Sequence, residues 1–198
     1  MAAESKKADR RSSRTRRSLR DALIELILEK RYDSITVQNV IDRADVGRST
    51  FYAHYRDKED LFLSDWEAML DGFARHIEWH NAGAGRVVPI TGLFRHVQEF
   101  HHFYIALARS RKTDLLFKTG NSYLQRSIEN SLTPFLADRP QPTVPKPVLS
   151  NYLASEILAL LRWWLDNNMP YPPERMDEIF HELVMPGFCA SLGVGQDD

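Results

Sequence analysis

The sequence predicts an all-α protein in which an N-terminal three-helix head, containing a helix-turn-helix, is followed by a larger helical body. Three observations predict it. Apolar residues recur at the three- and four-residue spacing of amphipathic helices, beginning with Leu19, Leu23, Leu26 and Ile27. Residues that cap helix starts stand at Thr36 and Asp57, while prolines and glycines punctuate the later segments. Beyond Pro89 no alternating strand pattern appears.

Taken in order, residues 1–13 read as a basic flexible arm and the Leu19 to Ile27 repeat as a first helix from Arg14 to about Lys30. Residues 1–20 carry eight basic side chains (Lys6, Lys7, Arg10, Arg11, Arg14, Arg16, Arg17, Arg20) against Glu4 and Asp9. Such an end is either a solvated tail or an arm for a phosphate backbone. The Thr36 hydroxyl can cap a helix that shows Val37, Val40, Ile41 and Ala44 along one face. Asp45 then ends it, because Asp accepts a left-handed backbone better than most residues, and Val46 returns to the core.

A second short helix begins at Gly47, with Phe51 and Tyr55 turned inward and Arg48 beside them. Ser49, Thr50 and Ala53 fall on the other side, flanked by Tyr52 and His54. Small residues in the middle let a helix sink into a major groove, and hydrogen-bonding rings or a guanidinium at its edges reach bases and phosphates. Asp57 caps a third helix whose first residue is Lys58, an arrangement suited to a phosphate. An amphipathic helix pair inside some unrelated helical protein would show the same apolar pattern; the order and identity of the residues are what separate the two readings.

The run Thr36 to Leu61, TVxxVxxRADVGRSTFYxHYxDKEDL, resembles the DNA-binding domain of the TetR family of transcriptional regulators over about thirty ungapped positions. That resemblance implies a helix-turn-helix domain over residues 14–60 and an effector-binding and dimerisation body over residues 61–198. It implies that Gln38, Arg48, Ser49, Thr50 and Tyr52 meet base edges or the adjacent backbone, and that Thr36, His54, Tyr55 and Lys58 meet phosphates. Two departures stand out: Ile41 where many members have Ala, and Asp45 where many have Gly.

The body is expected to hold a long helix from Asp57 carrying Leu61, Phe62, Trp66, Met69, Leu70, Phe73 and Ile77 and ending near Asn81 to Gly85. Helices over Leu93 to Ala108 and Leu115 to Leu136, a proline-rich loop over Arg139 to Pro147, and helices over Val148 to Asn168 and Glu174 to Leu192 follow. The last two have broad apolar faces: Leu153, Ile157, Leu160, Leu161, Trp164 and Leu165 on one, and Ile179, Phe180, Leu183, Val184 and Phe188 on the other. They either close the core of one subunit or form a four-helix interface with a second. One reading head makes few base contacts, so a two-fold homodimer on a near-palindromic operator is expected, joined as the resemblance implies through the last two helices.

The resemblance further implies repression relieved by a small apolar or aromatic effector bound among Trp66, Phe73, Phe100, Phe103, Tyr104 and Tyr123, residues that also serve as ordinary core. The stretch LALLRWWLDNNMPYPPERMDEIF resembles a C-terminal subtype in which some regulators answer to a partner protein, and an activator is the other alternative to a repressor released by a small molecule. No cofactor and no metal are expected. His76 and His80 stand four apart, with His101 or His102 as a further donor, but no cysteine or carboxylate set completes a site, and the lone Cys189 reads as packed core. No glycine-rich phosphate loop, nucleophile elbow or triad signature supports an enzyme. With 43% hydrophobic residues, a net charge of −1 and no apolar run near the ~20 residues of a membrane span, a cytoplasmic protein is expected.

Overall fold

A computed structural model describes residues 2–77, 88–102, 104, 113–137 and 140–193, and among them every regular element is helical. The chain divides into two compact units, one of residues 1–66 and 102–114, the other of residues 67–101 and 115–198.

The first unit opens with α1, Ala2–Glu29. It begins twelve residues before the expected start at Arg14, so the stretch read as a flexible arm is helical. The reason is local: Ala2 to Glu29 contains no glycine or proline, and Ala, Glu, Lys, Arg and Leu are strong helix formers. A short 3-10 turn, Tyr32–Ser34, leads into α2, Val37–Ala44, and α3, Arg48–Tyr52. α4, Lys58–Ala74, leaves the head and continues into the second unit.

Leu19, Leu23, Leu26 and Ile27 of α1 are buried with Tyr32, Ile35, Val40, Ile41, Phe51, Leu61 and Phe62, which together make the head core. Each such aliphatic or aromatic side chain contributes about 1.5–3 kcal/mol by leaving water. Trp66, the last residue of the first stretch of this unit, is buried and lies edge-on to Tyr104 of its second stretch, with ring centroids 6.2 Å apart.

The second unit contains α5, Ile90–Glu99; most of α6, Thr113–Leu136; α7, Lys146–Asp166; α8, Pro173–Leu183; and α9, Met185–Ser191. α5 packs against α8. Pro89 precedes α5 and offers it no side-chain cap, so the buried carboxylate of Asp177 on α8 accepts from the Thr91 N–H at 3.3 Å instead. Four residues on, Arg95 Nε donates to Glu174 at 3.0 Å.

The core here is Ile90, Phe94 and Val97 of α5, Leu124, Ile128 and Leu132 of α6, Leu153, Ile157, Leu161 and Trp164 of α7, and Met176, Phe180 and Phe188 of α8 and α9. Phe94 and Trp164 touch with centroids 4.8 Å apart, and the Trp164 indole donates to the Tyr171 carbonyl at 2.8 Å, closing the α7–α8 turn. The single helix expected over Glu174 to Leu192 is broken at Val184. Pro186 explains the break: it lacks an N–H, and its ring clashes with the carbonyl four residues back in a continuous helix.

Candidate nucleic-acid interface

The helix-turn-helix is built from caps outward. Thr36 Oγ1 accepts from the Asn39 N–H at 3.1 Å, and Asn39 Oδ1 accepts from the Thr36 N–H at 3.1 Å, closing a reciprocal capping box at the start of α2. Asn39 Oδ1 also accepts from Lys30 Nζ at 2.7 Å, which ties the box to the end of α1. At the other end of α2, Asp45 adopts the left-handed conformation expected of it, with φ 52° and ψ 51°. The Val46 N–H donates to Ile41 at 3.1 Å across that turn, and Gly47 then leads in extended conformation into α3.

α3 is a short wedge with two unlike sides. Phe51 is fully buried, with Tyr52 edge-on to it at 5.4 Å and Tyr55 at 5.9 Å. Arg48, which the periodicity set beside the inward face, is exposed, as are Ser49 and Ala53. Thr50, His54 and Tyr55 are half-buried, and Tyr52 is 52% exposed. Helical geometry ends at Tyr52, although the His54 and Tyr55 N–H groups still donate to Phe51 at 2.9 Å each. Gln38 lies exposed on α2, its amide donating to Asp42 at 2.7 Å, and Thr36 is exposed beside it. Five of the nine expected contact residues therefore lie on α2 and α3, His54 and Tyr55 follow directly after α3, and Thr36 holds the capping position of α2.

Lys58 stands apart. Asp57 caps α4 as expected, accepting from the Glu59 N–H at 2.9 Å and the Asp60 N–H at 2.8 Å. The half-buried Lys58 ammonium, however, turns into the head and donates to the carbonyls of Tyr32 at 2.8 Å and Ile35 at 2.6 Å. It also lies 4.5 Å from the centroid of the Tyr32 ring.

Some supporting residues escaped the sequence reading. Arg43 at the end of α2 grips Glu29 through two N–H groups, at 2.7 and 2.9 Å, and Glu25 at 3.0 Å, joining α2 to α1. Hydrogen bonding to this guanidinium holds the Glu29 carboxyl below its ordinary range. Asp60 is likewise lowered by Arg56, whose side chain and N–H both donate to it. Burial pushes the Tyr32 phenol well above its ordinary value. The T-x-x-N spacing at Thr36 and Asn39 was the available signal for the capping box. Arg43, Glu25 and Glu29 left none, since their pairing spans fourteen to eighteen positions.

The aromatic residues expected around an effector divide between the two units. Trp66 and Tyr104 are buried together in the first. Phe73, Phe100 and Tyr123 belong to the second, where Phe73 is buried, Tyr123 is half-buried and Phe100 is 43% exposed. Burial, followed by hydrogen bonding to Asp71, raises the Tyr123 phenol. Phe103 lies outside the described residues. The Trp66 indole N–H is buried with no hydrogen-bond acceptor among the described residues.

Residues 19–64 match the family described as bacterial regulatory proteins, tetR family, and residues 89–186 match a transcriptional regulator C-terminal region. The chain is 39% identical over 188 residues to an uncharacterized HTH-type transcriptional regulator, YxbF, of Bacillus subtilis (strain 168), covering 90% of this chain and 47% of that one. It is 31% identical over 88 residues to the HTH-type transcriptional regulator TcmR of Streptomyces glaucescens, covering 44% of this chain and 39% of that one. The chain thus spans less than half the length of these two relatives. Among solved structures, a TetR transcriptional regulator from Streptococcus agalactiae 2603V superposes with a TM-score of 0.58 at 25% identity, over 91% of this chain and 98% of that one. With a helix-turn-helix of this geometry and family matches at both ends, the chain belongs to the TetR family of bacterial regulatory proteins.

Proposed function

We propose that the protein is a homodimeric repressor that occupies a near-palindromic operator in the cytoplasm and leaves it when an effector binds the body. The observation that carries the DNA-reading part is α3, which sets exposed Arg48, Ser49 and Tyr52 over a fully buried Phe51. Base readout falls to Gln38, Arg48, Ser49, Thr50 and Tyr52, and backbone contact to Thr36, His54, Tyr55 and Lys58. Support for a dimer comes from the surface of the last helices. α7 exposes Val148, Tyr152, Ala159 and Trp163 along one side, and α8 and α9 expose Leu183, Pro186 and Ala190. Large apolar residues left in water on adjacent turns mark an interaction surface. Support for an effector is the buried Trp66 indole, which has no acceptor among the described residues and which an apolar ligand carrying a hydrogen-bond acceptor would satisfy.

The test is a binding titration against fragments of the source genome at two salt concentrations. Specific fragments are expected to bind at least ~10³-fold more tightly than random duplex at physiological salt. Equal binding to both would refute operator reading. Release of the bound fragment by small molecules supports the effector mechanism, whereas release only by a second protein supports control by a partner.

A further inference from the structure

Gln38 is the expected base-reading side chain on α2, and its amide is already held on one side. Nε2 donates to Oδ1 of Asp42, one helical turn on, at 2.7 Å, and both residues are exposed. A carboxylate only accepts hydrogen bonds, so the end of the amide that faces Asp42 is its NH2, and the orientation of the amide is set by chemistry. Among the described residues no other hydrogen bond or ion pair engages the Asp42 carboxylate. It shares a cleft with Lys30 and Arg43, but Lys30 bonds to Asn39 and Arg43 to Glu25 and Glu29. Its place in the last turn of α2 also sets its charge against the negative end of the helix dipole, a cost that one exposed side-chain bond about offsets. Stability therefore gives no reason for a carboxylate at this position.

The bond changes what Gln38 shows to a major groove. A free amide has two N–H donors and one acceptor oxygen, so it pairs with N7 and N6 of adenine or donates to N7 and O6 of guanine. With one N–H taken by Asp42, one donor and one acceptor are left. That pair complements adenine, whereas guanine turns two acceptors towards it, which the amide oxygen and the nearby carboxylate both repel. We propose that Asp42 is a positioning residue that makes Gln38 an adenine reader: it withdraws one amide N–H, and with it the means of accepting guanine. This rests on the reading of α2 and α3 as the operator-binding surface.

The test uses the full chain, a duplex that the wild-type chain has selected from a random pool, and a scrambled duplex of the same composition. Each base pair of the selected half-site is replaced in turn by the other three, and anisotropy titration at one fixed salt concentration gives an A·T-over-G·C affinity ratio at every position. Thermal melting reports the fold. Wild type is expected to show a ratio of at least about 5-fold at a position where Gln38→Ala brings it near one. Asp42→Asn keeps the shape but donates as well as accepts, so the amide turns either way. At that position its ratio is expected to fall below about 2-fold, chiefly because the G·C duplex binds better. Its melting temperature is expected to equal or exceed that of wild type, since the charge at the negative end of α2 is gone. In the Gln38→Ala background, Asp42→Asn is expected to change no ratio. An unchanged ratio in Asp42→Asn, a lower melting temperature with a uniform loss of affinity, or an effect that survives Gln38→Ala each overturn the inference. So does a Gln38→Ala variant with every wild-type ratio intact, or a Gln38-dependent position that prefers G·C. Equal binding of the selected and scrambled duplexes by wild type would sink the operator reading along with it, whereas failure of the Asp42 arms alone leaves that reading standing.

Discussion

Arg48 and Phe51 stand three positions apart on the same short helix and do opposite work: one is exposed at the reading surface, the other fills the head core. Arg48→Ala is accordingly expected to leave the urea midpoint unchanged while costing about 1–3 kcal/mol on the preferred site and far less on random duplex. Phe51→Ala is expected to lose about 3–5 kcal/mol of stability, seen as a collapse of the same urea midpoint. Glu29 supplies a pH signature. Its carboxyl is held below the ordinary range by hydrogen bonds from Arg43, so its contribution is present above the unfolded-state value and is lost as pH falls through the folded one. Urea unfolding followed from neutral pH down to roughly pH 3 should show this loss in the wild type, and Glu29→Gln should show less of it.

At the scale of elements, the turn between α2 and α3 depends on a residue that tolerates positive φ, and Asp45 occupies it at 52°. Asp45→Gly is expected to stay within about 1 kcal/mol of wild type, whereas Asp45→Val should lose about 1–2 kcal/mol because its branched Cβ crowds the backbone. Chemical denaturation of the two variants checks this. Much of this level was legible beforehand: the Thr36 and Asp57 caps, the Asp45 turn and the buried Phe51 all follow from local chemistry. What was not legible depended on balance between neighbours. α1 continues to Ala2 because nothing in its first turns stops it, and the last helix divides at Val184 because Pro186 removes a donor within an otherwise periodic apolar run.

For the whole molecule, the exposed apolar residues of α7, α8 and α9 carry the prediction. Leu183 is 73% exposed and Trp163 45%, so replacing either by Glu disturbs no core of the single chain. Sedimentation velocity is expected to show a two-fold larger species for the wild type and a monomer for Leu183→Glu combined with Trp163→Glu, with operator affinity falling together with the dimer. Dimeric sedimentation of the double variant would move the interface elsewhere.

By itself the sequence determined the helical class, the position of the helix-turn-helix and the side chains at its surface, because capping, period and turn chemistry act within a few residues. Tertiary structure decided what each charge meets within the chain. Arg48 faces outward, Arg43 is held by Glu25 and Glu29, and Lys58 is drawn inward onto Tyr32 and Ile35. Those pairings join residues up to twenty-six positions apart, and no local pattern encodes which distant carbonyl or carboxylate a flexible cation will meet once the helices have packed.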